Sequence, residues 1–216
     1  MAKNRGFIAG ITGRLGNTTS GYSRGAYITR VLAEKVSNPK TRKQETTRAR
    51  FKTMVELASA FMPAIDNSGA RGLSQYSRHK RHSEFNCFYH LNFDKVSASN
   101  PFDVEVAYAE IVCAKGKCPQ VSFAAPSFQE TNTISCTFVG NSDAQGADSA
   151  DSVYLFAYSP ELGKGIVSAP VSRSEQSITL NTPLGWNGTT VHVYGFVVSD
   201  KNVASDSSYV GTGSIN

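Results

Sequence analysis

The spacing of apolar positions changes once along the chain, near residue 100. Before that point the longest regular pattern is helical: Phe51, Met54, Val55, Ala58, Phe61 and Met62 fall on one face. Ser37-Asn38-Pro39 supplies a helix start, with Asn38 as N-cap and Pro39 in the first turn. Met62-Pro63 stops that helix at about residue 61, because a residue before proline is pushed out of the helical region. A second helix is predicted over 72–91, burying Leu73, Tyr76, Phe85, Phe88, Tyr89 and Leu91. Ser99-Asn100-Pro101 then breaks the pattern, and the period becomes two. Phe102, Val104, Val106 and Tyr108 alternate with Asp103, Glu105 and Ala107, and Ile134, Cys136 and Phe138 alternate with Ser135 and Thr137. Residues 153–158 and 191–198 are apolar on both faces, as strands covered on both sides would be. Further strands are expected near 119–124, 165–171, 176–180 and 207–213.

Residues 1–36 follow neither period. Gly6, Gly10, Gly13, Gly16, Gly21 and Gly25 punctuate them, which disfavours a helix. The natural reading is an arm, extended or in short turns, whose Phe7, Ile8, Ile11, Leu15, Tyr22, Tyr27 and Ile28 need a surface to bury against. The predicted fold class is α+β. A Gly-rich N-terminal arm (1–36) and a helical region with two helices (37–100) precede an antiparallel β-sandwich (101–216). An immunoglobulin-like topology fits the strand number best, with a jelly roll second.

Charge follows the same division. Residues 1–100 hold 17 Lys and Arg against 6 Asp and Glu, a net +11, whereas residues 101–216 hold 5 against 11, a net −6. Half of the chain is therefore drawn to polyanions and half is not. Lys40, Arg42, Lys43, Arg48, Arg50 and Lys52 spread around the first helix, and no apolar stripe accompanies residues 40–48. A helix polar on all sides is either solvated or covered by a partner, and the partner is the preferred reading. Arg78-His79-Lys80-Arg81-His82 forms a second basic cluster, and Arg5, Arg14, Arg24 and Arg30 carry the charge of the arm. The candidate contacts to a partner or nucleic acid are these four arm arginines with Lys40, Arg42, Lys43, Arg48, Arg50, Arg78, Lys80 and Arg81. Aromatics do not alternate with the arginines of the first helix, so nucleic acid would be held by phosphate contacts without base reading.

No motif asks for catalysis or a cofactor. Gly10-x-x-Gly13-x-x-Gly16 lacks the Gly-x-Gly-x-x-Gly spacing of a dinucleotide site. Gly13-Arg14-Leu15-Gly16 has the form of a phosphate-clamping loop but not its flanking helices. There is no Gly-x-Ser-x-Gly elbow and no recognisable carboxylate pair. His79, His82 and His90, with Glu84 and Cys87 nearby, sit in a basic stretch that opposes a metal ion, and His192 reads as a packing residue. Cys87, Cys113, Cys118 and Cys136 show no zinc spacing and are expected as buried thiols; Cys113 and Cys118 flank Lys115-Gly116-Lys117, read as a hairpin turn. Trp186, in a Pro/Gly loop, is read equally as an exposed contact or a core cap. No apolar stretch follows the basic N-terminus, so no secretory signal is expected, and no run is long enough to span a membrane. The expected location is the cytoplasm or a particle assembled there.

Four features, taken in order, carry a resemblance. They are Gly10-x-x-Gly13-x-x-Gly16-Asn17; Asn38-Pro39-x-Thr41-x-x-Gln44 running into Arg48-x-x-Phe51; Ala114-Lys115-Gly116; and Trp186 followed by the 191–198 strand and Ser205-Asp206-Ser207-x-Tyr209-Val210-Gly211. Over nearly its full length the chain resembles domain-of-unknown-function family 6266, known from one bacterial phylum and phages that infect it. The resemblance implies no activity. Its phage members imply a structural part of a virion, in the tail, the neck or beside the capsid, with other copies and neighbouring assembly proteins as partners. The alternative expectation is a nucleic-acid-binding accessory protein.

Overall fold

A computed structural model describes residues 2–3, 12–23, 25–32 and 40–216. Contacts divide the chain into two compact units, residues 1–41 and residues 42–216.

The first unit is a small antiparallel sheet where an arm was expected. Its strands β1 (Ala2–Lys3), β2 (Gly13–Leu15), β3 (Thr18–Ser23) and β4 (Ala26–Val31) lie in the order β1-β4-β3-β2. Gly16 and Gly25 adopt φ of +56° and +79° at the two hairpin turns, a conformation that costs glycine least. Of the punctuating glycines, Gly16 and Gly25 thus make turns, while Gly13 and Gly21 lie within strands. None of the described side chains of residues 12–32 is buried. Leu15, Tyr22 and Val31 are 66%, 61% and 78% exposed.

The second unit holds four helices. α1 (Arg42–Ala60) ends where Met62-Pro63 predicts, and α2 (Met62–Ile65) follows with proline in its first turn, where a missing N–H costs nothing. The predicted 72–91 helix is split into α3 (Ser74–Lys80) and α4 (Glu84–Asn92). Arg81 turns left-handed, with φ of 57°, and Ser83 caps α4 by accepting the Asn86 N–H at 3.3 Å. The basic run 78–82 is therefore a helix end and a turn.

β5 (Val96–Asn100) and β6 (Asp103–Val106) form a hairpin. Phe102, read as the first apolar position of an alternating strand, is 98% exposed at the hairpin tip. The Asn100 side chain accepts its N–H at 2.9 Å and fixes the turn. Eight more strands follow: β7 (Ser122–Phe123), β8 (Thr133–Val139), β9 (Ser152–Ser159), β10 (Lys164–Val167), β11 (Val171–Ser172), β12 (Ser177–Asn181), β13 (Thr190–Val198) and β14 (Ser208–Ser214). They make one sheet in the order β12-β8-β7 and another in the order β10-β9-β13-β14, with β11 also on β9. All named pairings are antiparallel.

Alternation along β9 and β13 explains the packing. Val153, Leu155 and Ala157, with Val191, Val193 and Val197, join Ile134, Cys136 and Phe138 of β8 and Ile178 and Leu180 of β12 in one core, together with Trp186. The intervening Phe156, Tyr158, Tyr194, Phe196 and Val198 point the other way and join Met54, Leu57, Phe61, Ile65, Leu73 and Phe88 of the helical region. The central strands are apolar on both faces because a second sheet covers one face and the helices cover the other. The division expected at residue 100 consequently does not separate two cores: residues 42–216 are one unit.

Residues 111–121 form no strand, so Lys115-Gly116-Lys117 is not the turn of a hairpin. Gly116 instead presses on another segment. Its N–H donates to Asp206 Oδ1 at 3.1 Å, and a Cβ there would lie 2.0 Å from the Ala204 carbonyl oxygen. All four cysteines are buried thiols outside any disulfide, and burial pushes the Cys113 thiol up to about 12. Half-buried His192 packs as expected: its ring stacks on Tyr108 at 4.3 Å, and burial holds its pKa below the usual value.

Candidate docking surface

The amino-terminal half of α1 has nothing apolar to bury, and it forms one wall of an open groove of about 640 Å³. Arg42, Lys43, Thr46, Thr47 and Arg50 line it from the helix, a set whose three- and four-residue spacings bring it to one face. Val96, Ser97, Ala98 and Ser99 of β5 form the opposite wall, with Asp94 beside them. The Thr46 and Thr47 hydroxyls donate back to the Arg42 and Lys43 carbonyls, each at 3.0 Å.

The arginines of this helix play different parts. Arg50 is pinned: its guanidinium donates to the Phe93 carbonyl and lies 3.8 Å from the Phe93 ring centroid. Arg42 and Lys43 take part in none of the ion pairs among the described residues. Asp94 is the one carboxylate of the groove, and Lys95 already pairs with it at 3.2 Å. Lys95 also pairs with Glu110 at 3.0 Å; Glu110 first, then Asp94, holds its ammonium above the ordinary lysine value.

A second basic hollow, of about 450 Å³, lies between α3 and the 115–117 loop. Tyr76, Arg78 and His79 line it with Lys115 and Lys117. Lys115 is paired with Asp206 at 2.7 Å, and Lys80 sits 5.7 Å from the Tyr76 ring.

The twelve residues singled out from the sequence do not form one patch. Arg42, Lys43 and Arg50 meet in the groove, and Arg78 lines the second hollow with Lys80 at its margin. Arg48 is exposed on α1 outside the groove lining, and Arg81 caps α3. Arg14 lies on β2, Arg30 on β4, and Lys40 just before α1. Arg5 and Arg24 fall outside the described residues. The sequence reading missed Thr46, Thr47 and the β5 wall, because an uncharged strand edge has no side-chain signature. It also missed Lys115 and Lys117, whose charge was legible but was taken as part of a turn. Trp186 is buried in the core rather than offered as a contact. Among the described residues, no three His, Cys, Asp or Glu side chains come together as a metal site, and no helix is long and apolar enough to cross a membrane.

No curated protein matches the sequence. The fibronectin type III domain of the human collagen alpha-1(XX) chain is weakly similar in structure, with 14% identity and a TM-score of 0.33, covering 48% of this chain and 85% of that one. That score bears no weight. The family comparison is different in kind, because the match to a family of unknown function, DUF6266, runs over residues 10–211 and takes in the meander, the helices and the facing sheets alike. The chain belongs to that family.

Proposed function

We propose that this chain is a non-enzymatic assembly protein, a virion component of the tail, neck or capsid-associated kind, and that it docks through its basic N-terminal half. The observation that carries the reading is the first unit. A four-stranded sheet in which no described side chain of residues 12–32 is buried has no core among the described residues. Sheets of this size need a covered apolar face to be stable. Leu15, Tyr22 and Val31, left in solvent, are what a neighbouring subunit would cover. The amino-terminal half of α1 supports the same reading, since Arg42, Lys43 and Arg48 are exposed while its carboxy-terminal half is committed to the core.

We read the two facing sheets as an immunoglobulin-like sandwich. The outer face of its central sheet packs on the helices, so it is presented together with them and not on a separate stalk.

Sedimentation velocity of the full chain over a range of concentrations tests the reading. Discrete oligomers are expected, and replacing Leu15, Tyr22 and Val31 with serine is expected to dissociate them. A chain that stays monomeric at the highest concentration contradicts it. The groove's cations also favour a second reading, nucleic-acid binding through phosphate contacts. That reading requires duplex DNA binding that weakens steeply with salt.

A further inference from the structure

Two segments far apart in sequence, Ala114-Lys115-Gly116 and Ser205-Asp206-Ser207, meet in the fold. The Asp206 carboxylate accepts from Lys115 Nζ at 2.7 Å and from the Gly116 N–H at 3.1 Å. The Ser207 N–H donates to the Ala114 carbonyl at 3.1 Å, and the Cys113 N–H donates to the Ser207 hydroxyl at 3.0 Å. On its other side the loop is tied to the approach to α3, where the Lys115 N–H donates to the Gly72 carbonyl at 3.0 Å. Held at both sides, the loop forms one wall of the second basic hollow. α3 forms the other through Gln75, Arg78 and His79, whose three- and four-residue spacing puts them on one face.

This rigid frame surrounds polar groups that have no partner. The side chains of Gln75, Arg78, His79 and Lys117 make no hydrogen bond or ion pair among the described residues. No Asp or Glu among the described residues lines the hollow, and Asp206, which touches the loop, is occupied by Lys115 and Gly116. Arg78 and Lys117 come from opposite walls, so a ligand between them meets a cation on each side. Two uncompensated cations suit a phosphomonoester, which carries about −1.5 to −2 charges at neutral pH, better than a single carboxylate. Tyr76 adds an aromatic surface to the same wall. Its half-buried ring packs on the helical core, and Lys80 lies 5.7 Å from the ring centroid. A volume of about 450 Å³ lies in the range of small-molecule sites.

We infer that this hollow binds a mononucleotide, with the base against Tyr76 and the phosphate between Arg78 and Lys117. Base stacking on a fixed aromatic ring is favourable for every base, so the ring sets the class of ligand and not its identity. The two cations supply charge-assisted hydrogen bonds to the phosphate, and the Gln75 amide and His79 ring are further partners in the same lining. The site is independent of the assembly reading, which rests on residues 12–32 and on α1.

The test is isothermal titration calorimetry of the full chain with AMP, GMP, CMP and UMP, with inorganic phosphate and the four nucleosides as controls. At least one nucleotide is expected to bind saturably, and inorganic phosphate and the matching nucleoside each to bind at least about tenfold more weakly. Arg78→Gln combined with Lys117→Gln, both at exposed positions, is expected to weaken the nucleotide by about tenfold or more. Tyr76→Leu is expected to cost about tenfold for the nucleotide and nothing for inorganic phosphate. The charge variants keep the test decisive should Tyr76→Leu fail to fold. Lys164→Gln combined with Lys201→Gln removes the same charge at exposed positions outside the hollow and is expected to leave binding unchanged. Absence of saturable binding by any of the four nucleotides overturns the inference. So does inorganic phosphate that binds as tightly as the nucleotides, or an equal loss in the Lys164 and Lys201 pair. A chain that binds no nucleotide but still forms oligomers overturns this inference and leaves the assembly reading standing.

Discussion

Replacing Phe61 with alanine is expected to destabilise the entire 42–216 unit by about 3–5 kcal/mol. Phe61 is fully buried at the end of α1. Its ring lies 5.0 Å from that of Phe88 in α4, and 4.6, 5.2 and 5.4 Å from those of Phe156, Tyr158 and Tyr194 on the central strands. One side chain thus joins the helices to the sheet, and its loss leaves a cavity that neither layer can close alone. Urea unfolding should be followed by two probes: far-ultraviolet circular dichroism, and the fluorescence of Trp186, which lies in the core on the other side of the sheet. Both midpoints are expected to fall together with an unchanged m-value. A helical transition that shifts while the tryptophan transition stays in place would mean two separate cores.

The second large effect is expected at a charge. Arg173 and Asp151 are 0% and 1% exposed, and Arg173 Nη2 lies 3.0 Å from Asp151 Oδ2. The guanidinium also donates to the Gly140 carbonyl at 2.6 Å and the Pro119 carbonyl at 2.8 Å, and so ties three loops to the start of β9. The same Asp151 oxygen accepts the Asp148 N–H at 3.0 Å. Asp151→Ala leaves the cation buried without its counter-charge and is expected to cost about 3–5 kcal/mol. Replacing both residues, as Asp151→Leu with Arg173→Met, is expected to recover most of that loss, because desolvating an ion pair offsets much of its attraction. Denaturant midpoints of the wild type and both variants measure this. A single-variant loss below about 1 kcal/mol, the range of exposed pairs, would show that water reaches the pair.

Local pattern explains which parts of this fold were legible. Strands β8, β9, β12 and β13 each carry enough alternating or doubly apolar residues to be placed from the sequence. Residues 153–158 even announced a cover on both faces. What covers the second face was not legible, because Phe61 and Phe88 lie far away in sequence and their spacing records only that they are buried on a helix. Charge and period change together near residue 100, but both are properties of neighbouring residues, and the core that crosses that point depends on tertiary pairing. The alternating pattern was followed one residue too far at Phe102, where Asn100-Pro101 had already set a turn. Arg81 broke a helix that its neighbours' propensities would have continued. Within the groove, Arg42 and Lys43 were found from the sequence because a charge is visible in a residue's identity. The β5 wall was not, because uncharged strand residues carry no mark of what they will face until the fold brings them beside the helix.

The claim that the N-terminal sheet is completed by a neighbouring subunit is tested most directly by amide hydrogen exchange on β3 and β4 of the full chain, measured from dilute to concentrated protein. Protection of residues 18–23 and 26–31 is expected to be weak in the monomer and to rise at the concentrations where larger species sediment. Protection that is already strong in the monomer and unchanged by concentration would contradict it.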